Sequence, residues 1–166
     1  MNAALDRLAS QIDLDSPANE KLRFAFAYEC VRRIEHLLEE QEVIECLQAL
    51  GMYVRGELDS HSFNESQHKA ERLANQHRGS KYIDGCGHAA VSASYAVANA
   101  INGKPLQTAS YAAYAKVYAD GGYAAVAEPE AFGPEFSWQV GALSALVPGG
   151  SSQPQQGTLV HGAGVA

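Results

Sequence analysis

Cysteine, tryptophan and basic charge are scarce in this chain of 166 residues, and a long apolar run is missing. Three cysteines, Cys30, Cys46 and Cys86, are odd in number and lie in helical patterns. They read as reduced, mostly buried thiols of a cytoplasmic protein rather than as a disulfide framework. Twelve basic residues against nineteen acidic ones leave a net charge of −7. That balance argues against a nucleic-acid partner, since phosphate binding needs a basic patch, and is compatible with a basic partner protein. The longest apolar runs cover a helical turn or two, well short of the ~20 residues of a membrane span. The opening MNAALDRLAS has no basic segment followed by an apolar block, so it does not read as a secretory signal. No phosphate loop, nucleophile elbow, EF-hand or paired-carboxylate motif occurs, and no β-hairpin signal either. The expectation is an all-α, non-enzymatic protein without cofactor or metal.

What is present is helical periodicity. From Leu22 to Glu40, Leu22, Phe26, Cys30, Ile34 and Leu37 recur three and four apart. Ala27, Val31 and Leu38 widen the stripe beyond what a surface helix needs, so this helix must be covered from several directions. Ala3 to Ile12 reads as a short opening helix, and Ser16-Pro17 as the cap and first position of the central one. Val43, Leu47, Leu50, Val54 and Leu58 make a second seam, antiparallel to the first across a short link. Gly51 lies inside that seam and predicts a close packing contact.

Ser62 or Asn64 is the expected cap of a weakly apolar helix over 65–78, with only Ala70, Leu73 and Ala74 to bury. An alanine-rich pair follows, one helix from His88 to Asn102-Gly103 and one from Leu106 to Asp120, closed by Gly121-Gly122. A last helix spans Glu135 to Val147. The length fits one domain, 1–147, and the Gly, Ser and Gln of 148–166 have the composition of a flexible tail. The architecture is thus a single bundle of five or six helices.

Four features bear on function, each with an ordinary reading beside it. Cys86 and His88 are either helix-start packing residues or a Cys–His nucleophile pair, with His61, His68 and His77 upstream. Tyr111, Tyr114 and Tyr118 form a stripe, with Tyr95 on the neighbouring helix; it is either packed inside the bundle or an interface. Glu35, Glu39, Glu40, Glu42 and Glu45 cluster at the first hairpin turn, with Glu35 and Glu39 expected on one helix face. They are a solvated surface or an acidic patch that steers a basic partner. Arg23 and Arg33 lie beside the apolar arc, and their heads must reach water or a carboxylate.

Three segments together resemble the Imm5-like family of immunity proteins from bacterial toxin systems. FAYECVRRIEHLLEE matches its aromatic-Ala-x-(Asp/Glu)-Cys-x-x-Arg segment, ALGMYVRGELD its Gly-Glu helix end, and EFSWQVGAL its closing Glu-x-x-Trp-Gln helix. The resemblance covers about Leu22 to Leu143 and is carried by Glu29, Cys30, Arg33, Arg55, Gly56, Glu57, Glu135, Trp138 and Gln139. The family's middle is rich in arginine and histidine, whereas here Tyr111 and Tyr114 stand in that region. The resemblance implies a small helical cytoplasmic protein that binds and neutralises a cognate toxin without catalysis. Glu57 or Glu135 is expected to pair with Arg33 or Arg55 inside the bundle. The alternative from another class is a structural or adaptor bundle that self-associates through the tyrosine face.

Overall fold

The computed structural model describes residues 1–76 and 87–148. Among these the chain is all-α: α1 Ala3–Gln11, α2 Glu20–Arg32, α3 Gln41–Val54, α4 Ser60–Gln76, α5 Gly87–Ile101, α6 Pro105–Val126 and α7 Gly133–Leu146. No described helix is long and apolar enough to cross a membrane. Cys86, His77 and the stretch 149–166 expected to form the tail lie outside the described residues.

One contiguous buried cluster draws on all seven helices. As the wide apolar arc requires, α2 packs against α3, α5, α6 and α7. Phe26, Ala27, Cys30, Val31 and Ile34 are wholly buried. The most extensive helix contact is between α5 and α6, where alanine lets the backbones approach closely. Ala93, Ala96, Ala100, Ala112 and Ala115 are all buried.

The central helix ends earlier than its periodicity predicts. The α-helix stops at Arg32, a 3-10 turn covers Glu35–Leu37, and Leu38 to Glu40 lead extended into α3. Leu37, in that turn, and Leu38, just after it, are both buried in the core. Glu35 and Glu39 therefore do not share a helix face. Nor does Ser16 cap α2: its side chain makes no cap hydrogen bond, and Pro17–Asn19 forms a 3-10 turn before Glu20. Arg23 Nη1 ties this corner by donating to the carbonyls of Ser16 at 2.7 Å and Leu14 at 3.3 Å, so it serves backbone rather than a carboxylate.

Gly56 ends α3 four residues before the predicted stop, in the left-handed region at φ 74°. The Gly56 N–H donates to the Tyr53 carbonyl and the Glu57 N–H to the Met52 carbonyl, the paired closing bonds of a left-handed helix end. Gly103 closes α5 the same way. Helix α4 begins at Ser60 because Asp59, not Ser62 or Asn64, is the cap: its Oδ1 accepts from the N–H groups of His61 and Ser62. Those bonds, the Ser62 N–H first, hold the Asp59 carboxyl below its ordinary range. The earlier start brings in Phe63, which stacks on Tyr53 at 4.0 Å and meets Phe24 edge-on at 5.5 Å. Beyond the predicted end of α6 the helix resumes after a break at Gly122, φ 65° and ψ −156°, and runs to Val126.

Candidate functional site

Two of the three family-like segments, remote in sequence, meet at one place. From α2, Arg33 Nε donates to Glu135 Oε2 of α7 at 2.6 Å. The Arg33 guanidinium also lies over the Trp138 ring, 4.5 Å from its centroid. Arg33 is one-third exposed, at 33%, while Glu135 is exposed by only 3%. Cys30, one turn before Arg33, is buried beside them. Burial first, then the charges of Glu135 and Glu29, pushes its thiol well above the ordinary range, against a smaller lowering by Arg33. A thiol held protonated in this way is no nucleophile.

The next residue of the closing segment, Gln139, is also buried. Its Nε2 donates to the Ala109 carbonyl of α6 at 2.8 Å, and its Oε1 accepts from Asn2 Nδ2 at 3.1 Å. Asn2 Nδ2 donates as well to the Phe136 carbonyl, while Asn2 Oδ1 caps α1 through the Leu5 N–H. Glu-x-x-Trp-Gln thus docks α7 on α2, α6 and the start of α1. The third segment behaves differently. Arg55 and Glu57 form a two-pronged ion pair, but both are about half exposed at the end of α3, not inside the bundle.

The acidic cluster is spread over three elements. Glu35 faces Arg32 at 3.5 Å, and Glu45 and Glu42 share Lys69 of α4 at 3.1 Å and 3.6 Å. The Glu45 contact in turn raises the Lys69 ammonium above its usual range. Glu39 and Glu40 are half-buried. What remains is an acidic rim with part of its charge answered locally.

Tyr111 and Tyr114 stand open on α6, at 38% and 40% exposure. Tyr111 stacks on Tyr95 at 5.3 Å and Tyr114 meets Phe132 edge-on at 5.1 Å. Beside them opens a cleft of about 550 Å³, floored by Gln139 and Asn2 and walled by Leu5, Leu106 and Phe136. Periodicity finds the tyrosines but not this cleft, because its far wall comes from α1. Tyr118 is half-buried and turns toward His88 and Tyr123, with centroids 5.4 Å and 5.7 Å away. His88 is therefore engaged with aromatic rings; its proposed partner Cys86 lies outside the described residues. Among the described residues no three His, Cys, Asp or Glu side chains gather as a metal site.

The fold and its surface define an all-α helical bundle with an open tyrosine face. Comparison with family models, curated proteins and solved structures finds no match for the chain.

Proposed function

We propose that this protein is an immunity-type inhibitor, a cytoplasmic bundle that binds a cognate bacterial toxin, basic in charge, and neutralises it without catalysis. The observation that carries the reading is the exposed Tyr111–Tyr114 face beside an apolar cleft. Tyrosine buries much area at little entropic cost, and neighbours here already hold both rings. Glu35, Glu42 and Glu45 are exposed, and the chain's net charge of −7 draws a basic partner toward them. The resemblance of the α2 and α7 segments to immunity proteins supplies the class of partner.

The test is a tagged pull-down from the native cell, with size exclusion of the purified protein alongside. The expected result is a stoichiometric basic protein that poisons cells when expressed without this chain. The Y111S/Y114S variant should lose it while keeping the wild-type melting curve. A homo-oligomer that captures nothing, and that the same double variant dissociates, would replace this reading with the adaptor bundle.

A further inference from the structure

The cleft beside the tyrosines is apolar except at one place. It lies between α1 and α6, with α7 packed against both. Leu5, Leu106 and Phe136 line it, and Tyr111 and Tyr114 add two exposed rings. On its floor Asn2 and Gln139 spend their amides on each other and on the Phe136 and Ala109 carbonyls, so they leave little for an occupant. Asp6 is the one charged side chain in the lining. It is half-buried, and among the described residues its carboxylate takes part in no ion pair or hydrogen bond. The Met1 ammonium makes no ion pair with it, and Met1 stands 94% exposed, where solvent screens its charge. A half-buried carboxylate without a partner, set among aromatic rings, favours a cation that brings apolar surface with it. Pockets of about 300–1,000 Å³ enclose drug-sized ligands, so a cleft of about 550 Å³ holds one long side chain and an apolar neighbour.

We propose that this cleft anchors the partner protein by an arginine, whose guanidinium pairs with Asp6 and lies against a tyrosine ring. An apolar neighbour of that arginine packs on Leu5, Leu106 and Phe136. The inference rests on the inhibitor reading above. Arginine fits better than lysine because its planar guanidinium stacks on aromatic rings and meets a carboxylate through two N–H groups. A neutral occupant would cover Asp6 without answering its charge, and an anionic one would be repelled by it.

The experiment is an amide NMR titration of the full chain with 2-phenylethylguanidinium chloride and, separately, with neutral 3-phenylpropionamide. The guanidinium should give saturable shifts at Asp6, Ser110 and the Gln139 side-chain amide, and bind roughly fivefold tighter than the neutral probe. Asp6→Asn, which keeps the shape of the side chain and removes its charge, should bring the two probes level. Ser110→Phe, which fills the cleft from α6, should abolish the shifts from both. The dispersed spectrum of each variant reports that it is folded. Absence of saturation, equal affinity of the wild type for the two probes, or a preference for the guanidinium that survives Asp6→Asn would overturn the proposal. A partner from the pull-down that binds both variants undiminished would sink the cleft but leave the inhibitor reading standing. Saturable guanidinium binding in a chain that captures no protein would instead remove the inhibitor reading, and the partner's arginine with it.

Discussion

Removing Arg33 should cost more than neutralising Glu135, although the two form one ion pair. Arg33→Met leaves the Glu135 carboxylate, 3% exposed, with no counter-charge. Stripping one partner from a buried pair costs about 3–5 kcal/mol, and losing the contact with Trp138 adds about 0.5–1 kcal/mol. Glu135→Gln keeps an acceptor for Arg33 Nε and keeps the Trp138 contact. Its remaining charge is on Arg33, which is 33% exposed and can draw on water. The loss is then that of a charge-assisted bond becoming a neutral one, about 1–2 kcal/mol. The double variant Arg33→Met/Glu135→Met removes both charges together and should be less destabilised than Arg33→Met alone, since apolar pairs of similar volume often replace buried ion pairs without loss. Urea unfolding followed by Trp138 fluorescence and by circular dichroism measures all three. An Arg33→Met cost no larger than that of Glu135→Gln, or a double variant as destabilised as Arg33→Met alone, would refute this account.

Asn2→Ala removes the α1 cap and leaves Gln139 Oε1 buried without its donor, so it should cost about 2–4 kcal/mol in the same unfolding assay. A Cβ at Gly51 would lie 2.8 Å from the Tyr28 hydroxyl. Gly51→Ala should therefore destabilise by about 1 kcal/mol, and become stabilising by a similar amount in a Tyr28→Ala background, where only helix propensity remains. Burial raises the Cys30 thiol, so the folded state keeps a proton that the unfolded chain releases at alkaline pH. Stability is full below the ordinary thiol range and should fall as pH rises through it, more steeply in the wild type than in Cys30→Ala. Urea midpoints measured across that range check this.

The parts of the fold legible in the sequence are those where one helix face buries one stripe. Phe26, Cys30, Ile34, Val43, Leu47 and Leu50 are all core residues, and both Gly51 and Gly103 do what their positions imply. Periodicity failed where tertiary contacts overrode it. Leu37 and Leu38 continue the stripe on paper and both are buried, but in a 3-10 turn and the extended residues after it rather than in the central helix. Phe63 fell outside the expected start of α4, because Asp59 competed with Ser62 and Asn64 for the cap and all three have the right side chain. Nothing local distinguishes them; the stacking of Phe63 on Tyr53 decides.

The candidate site divides along the same line. A tyrosine stripe at helical spacing is visible in the sequence, but whether it faces the bundle depends on what α6 packs against. The structure splits it, leaving Tyr111 and Tyr114 exposed and turning Tyr118 toward His88. The family-like residues divide too. Arg33, Glu135, Trp138 and Gln139 are framework by their contacts, for they dock α7 onto three other helices. Arg55 and Glu57 pair with each other at the end of α3, both about half exposed. If resemblance preserved a docking scaffold, substitutions in the first group should lower the urea midpoint, while those at Arg55 or Glu57 should leave it close to that of the wild type. A framework of this kind fixes where α6 presents its tyrosines without touching them. If the tyrosine face is the binding surface proposed above, substitutions at Tyr111 and Tyr114 should change partner capture without moving the melting curve, since neither ring takes part in the Arg33–Glu135 contact.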